Sequence, residues 1–320
     1  MKAYNMNYLG RIHENKNQEL KYLPPLSDVE RIVEKETINC CPLCGEKKYI
    51  VVGKIPINVI IDNWVNSYGI NPISNIYKNS ILEKRYCTNC GLYFYNYHLP
   101  DFEKMYNELS TKVSYYPSYR PEYGIATECI ENIKPNSLLE IGCGDGSFLE
   151  RINGLVENTI GSEYNIEAQK ICKDKGLTVI CEDLSTIKQK FDVICHFEVF
   201  EHVFDTCKFL DKTLGLLKKG GKLIIGTPDP EGINSIIGRF ALNLPPHHQF
   251  DFSLKCFKWI AKKYNLKILN YRKTELGYHH YARYVKILTG KELEAIDILG
   301  FYETQKKYSG QSHVVVFEKD

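Results

Sequence analysis

The apolar run Leu138-Leu-Glu-Ile-Gly-Cys-Gly-Asp-Gly-Ser-Phe-Leu149 breaks into glycine at positions 142, 144 and 146. Gly142, Gly144 and Gly146 permit a tight turn and a ligand's close approach to the backbone, as at the carboxyl end of a cofactor-binding sheet. Dinucleotide loops are spaced Gly-x-Gly-x-x-Gly and bring a pyrophosphate to a helix N-terminus. Here the third glycine comes one residue earlier and an acid, Glu140, sits inside the strand, which disfavours NAD or FAD. A second chemistry lies upstream, in Cys41-Pro-Leu-Cys44-Gly and Cys87-Thr-Asn-Cys90-Gly. Four thiolates in two short loops are the ligand set of a closed, structural zinc site. A redox dithiol is the rival reading for either pair alone, and Cys40 leaves open which cysteine is spare. Histidines are the natural proton acceptors. His202 lies in Glu198-x-x-Glu201-His202, whose spacing predicts three side chains on one helical face. His247 and His248 follow Pro245-Pro246, which stiffens their loop. A helix-entry or loop contact is the alternative for each of them. His279 and His280, in Gly277-Tyr-His-His-Tyr281, are expected at the surface, with a place in the acceptor pocket as the alternative.

The elements that must position these residues fall into four stretches. Residues 1–36 read as a polar arm and a short helix, with Ser27-x-x-Glu30 as a capping box. Residues 37–98 hold the knuckles, each followed by a strand-like run, Tyr49-Ile-Val-Val and Leu92-Tyr-Phe-Tyr. A Tyr-rich connector spans 99–135. From 136 to 320 strands and helices alternate, with strands expected at Leu138 to Gly142, Thr159 to Glu163, Thr178 to Cys181, Phe191 to Cys195, Lys222 to Gly226, Lys267 to Tyr271 and His313 to Phe317. Val203, Cys207, Leu210, Leu214 and Leu217 mark one amphipathic helix; Phe257, Ile260, Ala261 and Tyr264 mark another. Alternation of this kind predicts an α/β fold with a doubly wound, mostly parallel, seven-stranded Rossmann-like sheet behind a small zinc-ribbon-like domain. Cys143, Cys172, Cys181, Cys195, Cys207 and Cys256 fall on apolar positions or beside glycines and read as small core residues, not nucleophiles.

The glycine segment resembles motif I of class I S-adenosylmethionine-dependent methyltransferases. The resemblance extends along 137–271. It implies that Glu163, ending Ile160-Gly-Ser-Glu163, accepts the ribose hydroxyls and that Asp183, in Val179-Ile-Cys-Glu-Asp183, contacts the adenine amino group. Phe197, in Phe191-Asp-Val-Ile-Cys-His-Phe197, joins Glu140, Gly142, Gly144 and Gly146 in the implied cofactor set. Glu140 either touches the ligand or orients the glycine loop. Leu217-Lys-Lys-Gly-Gly-Lys-Leu-Ile-Ile-Gly-Thr-Pro228 is similar to the family's glycine turn and fifth strand. Ubiquinone-pathway O-methyltransferases show a similar Glu-x-x-Glu-His and use a divalent ion there, which leaves a divalent ion at Glu198, Glu201 and His202 as an alternative to the loop contact. A zinc ribbon before such a core resembles sugar-modifying methyltransferases of deoxysugar and surface-polysaccharide pathways, in which His248 matches the catalytic histidine, with His247 where they carry an acid. The further C-terminal domain of the C-methylating members is not expected in this chain, so the implied acceptor atom is oxygen or nitrogen of a sugar or nucleotide-linked sugar. Tyr115 to Tyr123 matches the place of a lid over the cofactor, with packing between domains as the equal alternative.

Composition limits the alternatives. The chain has 320 residues, 43% hydrophobic and 25% charged, a globular balance that argues against wholesale disorder. Lys+Arg 41 against Asp+Glu 39 gives +2, which advertises neither nucleic acid nor an anionic membrane as partner. An RNA methylase gripping RNA through the ribbon, or a non-catalytic cofactor-binding scaffold, stay as alternatives. No apolar run reaches the ~20 residues of a membrane span. The N-terminal residues lack a continuous apolar secretory core, so a cytoplasmic location with reduced cysteines is expected.

Overall fold

The structure, a computed structural model, describes residues 38–73, 80–97, 105, 108–109, 116–181, 183–237, 241–293 and 297–320. The expected capping box at Ser27 and Glu30, and Tyr115 of the connector, lie outside the described residues. In chain order the strands are β1 (Tyr49–Pro56), β2 (Ile81–Cys87), β3 (Leu92–Tyr95), β4 (Ser137–Ile141), β5 (Asn158–Ser162), β6 (Val179–Ile180), β7 (Phe191–Phe197), β8 (Leu217–Pro228), β9 (Phe250–Phe252), β10 (Leu266–Lys273) and β11 (Ser312–Lys319). The helices are α1 (Ile57–Tyr68), α2 (Pro121–Ile133), α3 (Ser147–Arg151), α4 (Ile166–Asp174), α5 (Thr206–Leu216), α6 (Asn234–Ile237), α7 (Leu254–Tyr264), α8 (Tyr278–Thr289) and α9 (Ile298–Gln305). No helix among the described residues is long and apolar enough to cross a membrane. The chain divides into two units, Met1–Val113 with Ser235–Asp251, and Ser114–Asn234 with Phe252–Asp320. Residues 235–251, which the sequence reading keeps in the C-terminal domain, thus group with the cysteine region.

In the first unit the sheet order is β1-β2-β3-β9. β1 and β2 pair antiparallel with Tyr49 opposite Cys87, so the pairing that builds the sheet also carries the second knuckle to the first. Helix α1 buries Ile57, Ile60, Ile61 and Trp64, the one-sided stripe of an amphipathic helix, and Gly69 ends it in the left-handed conformation. The returning segment is tied to this sheet by a buried ion pair, Lys84 Nζ to Asp251 Oδ2 at 2.7 Å. Breaking one partner of such a pair leaves a buried charge, a loss of about 3–5 kcal/mol.

In the second unit the sheet order is β10-β11-β8-β7-β4-β5-β6. The four pairings from β8 to β6 are parallel, and those of β11 with β8 and with β10 are antiparallel. Strand order reverses between β4 and β7, the switch point at which open α/β sheets bind ligands beyond their carboxyl ends. Every residue of β4 is buried, and β7 is buried except for Asp192. Alternation divides β7 between two faces. Val193, Cys195 and Phe197 pack with Tyr123, Ala126 and Ile130 of α2 and Phe148 of α3. His196 faces the other side with Phe200 and Phe209.

The expected strands are all present with adjusted ends. The largest change is β8, which begins at Leu217 where Lys222 was expected. Phe191 pairs Leu217 but Val193 already pairs Lys222, so the Lys-Lys-Gly-Gly turn is inserted into the strand, with Gly220 at φ +71°.

Candidate functional site

The parallel strands deliver their carboxyl ends together, and β4 runs directly into the glycine loop. Gly142, Gly144 and Gly146 take φ of +70°, +54° and +79°, conformations that side chains disfavour. Space enforces the same choice at Gly144, where a Cβ would lie 2.5 Å from the ring of Tyr116. The loop is anchored to β5 by the N–H groups of Gly142 and Cys143, which donate to the Ser162 carbonyl at 2.7 and 3.1 Å. Glu163 completes the anchor. Its Oε2 accepts from Gly144 N at 2.9 Å, and its Oε1 accepts from Asn165 N at 2.8 Å. Asn165 in turn caps α4 by accepting from Glu167 N and Ala168 N.

Glu140 is 1% exposed, and its Oε2 has no hydrogen-bond partner in the structure. Burial, then the neighbouring Cys172, Glu163 and Asp145, holds its carboxyl well above the usual range, with Arg120 pulling the other way. A second buried acid pair lies past β7. Glu198, at φ +54°, donates its N–H to the Gly226 carbonyl at 2.9 Å. Glu122, on the first turn of α2, comes so near Gly226 that a Cβ there would meet its Cγ at 3.2 Å. Burial, followed by the charge of Glu122, pushes Glu198 up to about 8 against the pull of Arg120. Sequence reasoning did not single out Arg120 or Glu122; the helix-starting Pro121 between them was the available signal.

The remaining expected residues are placed differently from one another. Asp183 is exposed after β6, and both its oxygens accept from Lys212 Nζ at 2.7 Å. Hydrogen bonds from Lys212 and Ser185 hold its carboxyl well below the ordinary value. Phe197 is 5% exposed and packs on Phe148 and Tyr123 at ring separations of 4.7 and 5.2 Å, so its side chain lies in the core. His202 lies in the second unit, on the 3-10 turn Phe200–His202. The expected single helical face of Glu198, Glu201 and His202 does not form, because Glu198 leaves β7 in a left-handed conformation and α5 starts only at Thr206, capped by Asp205. His247 and His248 are in the first unit. Their rings stack at 4.9 Å, and His247 Nδ1 is 2.6 Å from the Leu242 carbonyl. His280 is 4% exposed rather than at the surface, because it falls on the inner side of α8 beside Tyr281, itself 3% exposed.

The four knuckle cysteines converge in the first unit. Their sulfurs lie within 4.8 Å of one another, with Cys41–Cys90 at 3.4 Å and Cys44–Cys87 at 3.5 Å. Tetrahedral zinc with ~2.3 Å bonds to sulfur sets its ligands ~3.8 Å apart, so the donor set and spacing fit that ion. Cys40 is exposed and outside the group.

Residues 115–271 match the model of a family described as a methyltransferase domain. The ubiquinone biosynthesis O-methyltransferase of Bradyrhizobium sp. (strain ORS 278) is 33% identical over 107 residues, 31% of this chain and 41% of that protein. The protein of the same name from Nitrobacter winogradskyi is 37% identical over 99 residues, 28% of this chain and 38% of its own. The chain thus spans about two fifths of the curated relatives it matches. Among solved structures, a SAM-dependent methyltransferase from Archaeoglobus fulgidus aligns over 68% of this chain and 100% of its own at 17% identity, with a TM-score of 0.43. The glycine loop, the acid tied to it and the sheet order lie in or beside the matched stretch, and residues 115–271 are a methyltransferase domain.

Proposed function

We propose that the protein transfers a methyl group from S-adenosylmethionine to a hydroxyl of a small molecule. The observation that carries this reading is Glu163, a carboxylate fixed by the N–H of Gly144 at the carboxyl end of the sheet's switch point. There it meets the cofactor's ribose beside a backbone that only glycines can form. Glu140 suits the cofactor's cationic end, since its unpartnered buried oxygen gains a positive neighbour. Adenosylmethionine supplies an electrophilic methyl on a sulfonium that departs as a neutral thioether. The chain's own residues therefore have to hold the acceptor in line, exclude water and take up its proton. Oxygen as the methylated atom is supported by the names of the relatives, and a sugar or nucleotide-linked sugar by the cysteine unit's likeness to the ribbons of sugar-modifying enzymes. Cys41, Cys44, Cys87 and Cys90 hold one structural zinc ion, and Asp183 turns to the adenine only by giving up Lys212.

The test is titration calorimetry with adenosylmethionine and adenosylhomocysteine, NADH as control, on protein assayed for zinc. Micromolar binding of both sulfur compounds and one zinc per chain are expected; folded, zinc-loaded protein that binds neither would overturn the reading. Labelled methyl transfer to sugar nucleotides and to intermediates of ubiquinone biosynthesis then decides the acceptor class. His248→Ala and His202→Ala separate the candidate bases. The base is the residue whose loss spares cofactor affinity while lowering kcat at least a hundredfold, the usual scale of general-base catalysis.

A further inference from the structure

Two thiols lie beneath the glycine loop where the sequence suggested only small core residues. Cys143 sits inside the loop, between Gly142 and Gly144, and Cys172 is on α4. Both sulfurs converge on one acceptor, the Gly144 carbonyl, at 3.2 Å from Cys172 and 3.9 Å from Cys143. Glycines make the space they fill. A Cβ on Gly161 would lie 2.5 Å from the Cys143 sulfur, and one on Gly146 would lie 3.1 Å from that of Cys172.

We propose that Cys143 and Cys172 are a modification site, a dithiol that a hydroperoxide oxidises to a disulfide, drawing the glycine loop toward α4 and closing the cofactor's seat. The affinity consequence rests on the cofactor assignment above; the disulfide itself does not. Cys172 is the attacking sulfur. The neighbouring Cys143 draws its thiol below the ordinary value and Lys175 adds to this, against burial and the charge of Asp145. The Lys175 ammonium also donates to the Asp145 carbonyl of the same loop at 2.9 Å. In the first step the Cys172 thiolate attacks the hydroperoxide. An S–O bond forms, the O–O bond breaks, and the leaving alkoxide or hydroxide takes a proton, giving a sulfenic acid and an alcohol or water. In the second step the Cys143 sulfur attacks Cys172, the S–S bond forms, the S–O bond breaks, and the departing oxygen leaves as water with the Cys143 proton. Two thiols are oxidised by two electrons and one hydroperoxide is reduced. Both sulfurs are buried, so the attack occurs as the loop opens and bound cofactor protects them.

The change reaches the cofactor site through the loop's own bonds. Gly144 gives its N–H to Glu163 and its carbonyl to the two thiols. A covalent S–S bond of ~2.05 Å leaves no thiol hydrogen for that carbonyl and draws the two backbones together. The experiment treats zinc-loaded full-length protein with hydrogen peroxide, maps disulfides by mass spectrometry of unreduced digests, and measures adenosylhomocysteine affinity before oxidation, after it and after dithiothreitol. Expected are a peptide pair joined through Cys143 and Cys172 and an affinity at least tenfold weaker that reductant restores. Cys172→Ser and Cys172→Ala, which leave the zinc ligands intact, are expected to keep their affinity through the same treatment. Absence of the 143–172 link while other cysteines oxidise overturns the proposal, and so does an equal loss of affinity in both variants. Reduced protein that fails to bind adenosylhomocysteine overturns the methyltransferase reading instead, and the mapped link then still decides the dithiol.

Discussion

Glu163 does two jobs with one carboxylate, fastening the glycine loop through Gly144 N and starting α4 through Asn165 N. Glu163→Ala removes both bonds as well as the proposed ribose acceptor. Adenosylmethionine affinity is expected to fall at least tenfold, about 1.4 kcal/mol, while circular dichroism still shows a folded core. Unchanged affinity would remove the ribose assignment. This residue was legible through the family resemblance, in which an acid ends the second strand as Glu163 ends Ile160-Gly-Ser-Glu163. Glu122 was not, since nothing local to Pro-Glu-Tyr announces that its side-chain stem packs against Gly226, a hundred residues on. His196 was equally hidden. Its ring is fully buried between Phe200 and Phe209, neither nitrogen has a hydrogen-bond partner, and burial lowers its pKa to about 3. The unfolded chain takes up this proton near pH 6.5 whereas the folded chain waits until about 3. Stability from the neutral ring is complete above pH 6.5 and declines as the pH falls toward 3, by up to about 1.4 kcal/mol per unit. Replacing the ring by an apolar one removes that slope. His196→Phe is expected to gain about 2 kcal/mol over the parent between pH 8 and pH 5, read from urea midpoints; parallel pH curves would count against it.

Elements were read most accurately where one face is plainly apolar. The stripe Phe257, Ile260, Ala261 in α7 and the unbroken apolar run of β4 both fold as expected. Errors arose where a turn signal sits inside an element or a loop interrupts a period. The Lys-Lys-Gly-Gly of β8 is an insertion within a strand, and the apparent helical period of Glu198, Glu201 and His202 is cut by one left-handed residue. Strand order was out of reach of local pattern altogether: placing β11 between β8 and β10 is a matter of long-range pairing that no single segment encodes. The glycine loop is the element whose shape has the tightest tolerance. Gly144→Ala puts a Cβ into the Tyr116 ring and forces an alanine to φ +54°. Strain of this kind costs about 1–3 kcal/mol. The variant is expected to melt earlier and to lose cofactor affinity more than Gly154→Ala, a control whose Cβ meets nothing within 4 Å although its φ of +82° is equally unfavourable. Equal losses of affinity in the two variants would show that the loop's packing does not matter to the cofactor.

At the scale of the molecule, each of the two units carries one tryptophan, and the proposed function assigns each its own ligand. Trp64, fully buried in α1, belongs to the cysteine unit, and Trp259, in α7, to the methyltransferase unit. The sequence contains no other tryptophan, so Trp259→Phe leaves a reporter of the first unit and Trp64→Phe one of the second. Zinc held by four cysteines contributes its binding energy to folding directly, and a ligand at one hundred times its dissociation constant adds about 2.7 kcal/mol to the unit that binds it. Stripping the metal with a chelator at neutral pH should therefore move the Trp64 transition to much lower denaturant. Adenosylhomocysteine, in turn, should raise the transition reported by Trp259. Each signal should move with its own ligand when the two treatments are applied separately. A Trp64 transition indifferent to the chelator would mean that the four cysteines need no metal to hold β1 and β2 together, and the buried thiols would then have to be accounted for as core. If the chelator instead abolished the effect of adenosylhomocysteine on Trp259, the cysteine unit would be part of what the cofactor requires, and the knuckles would have to be assigned a role in binding as well as in folding.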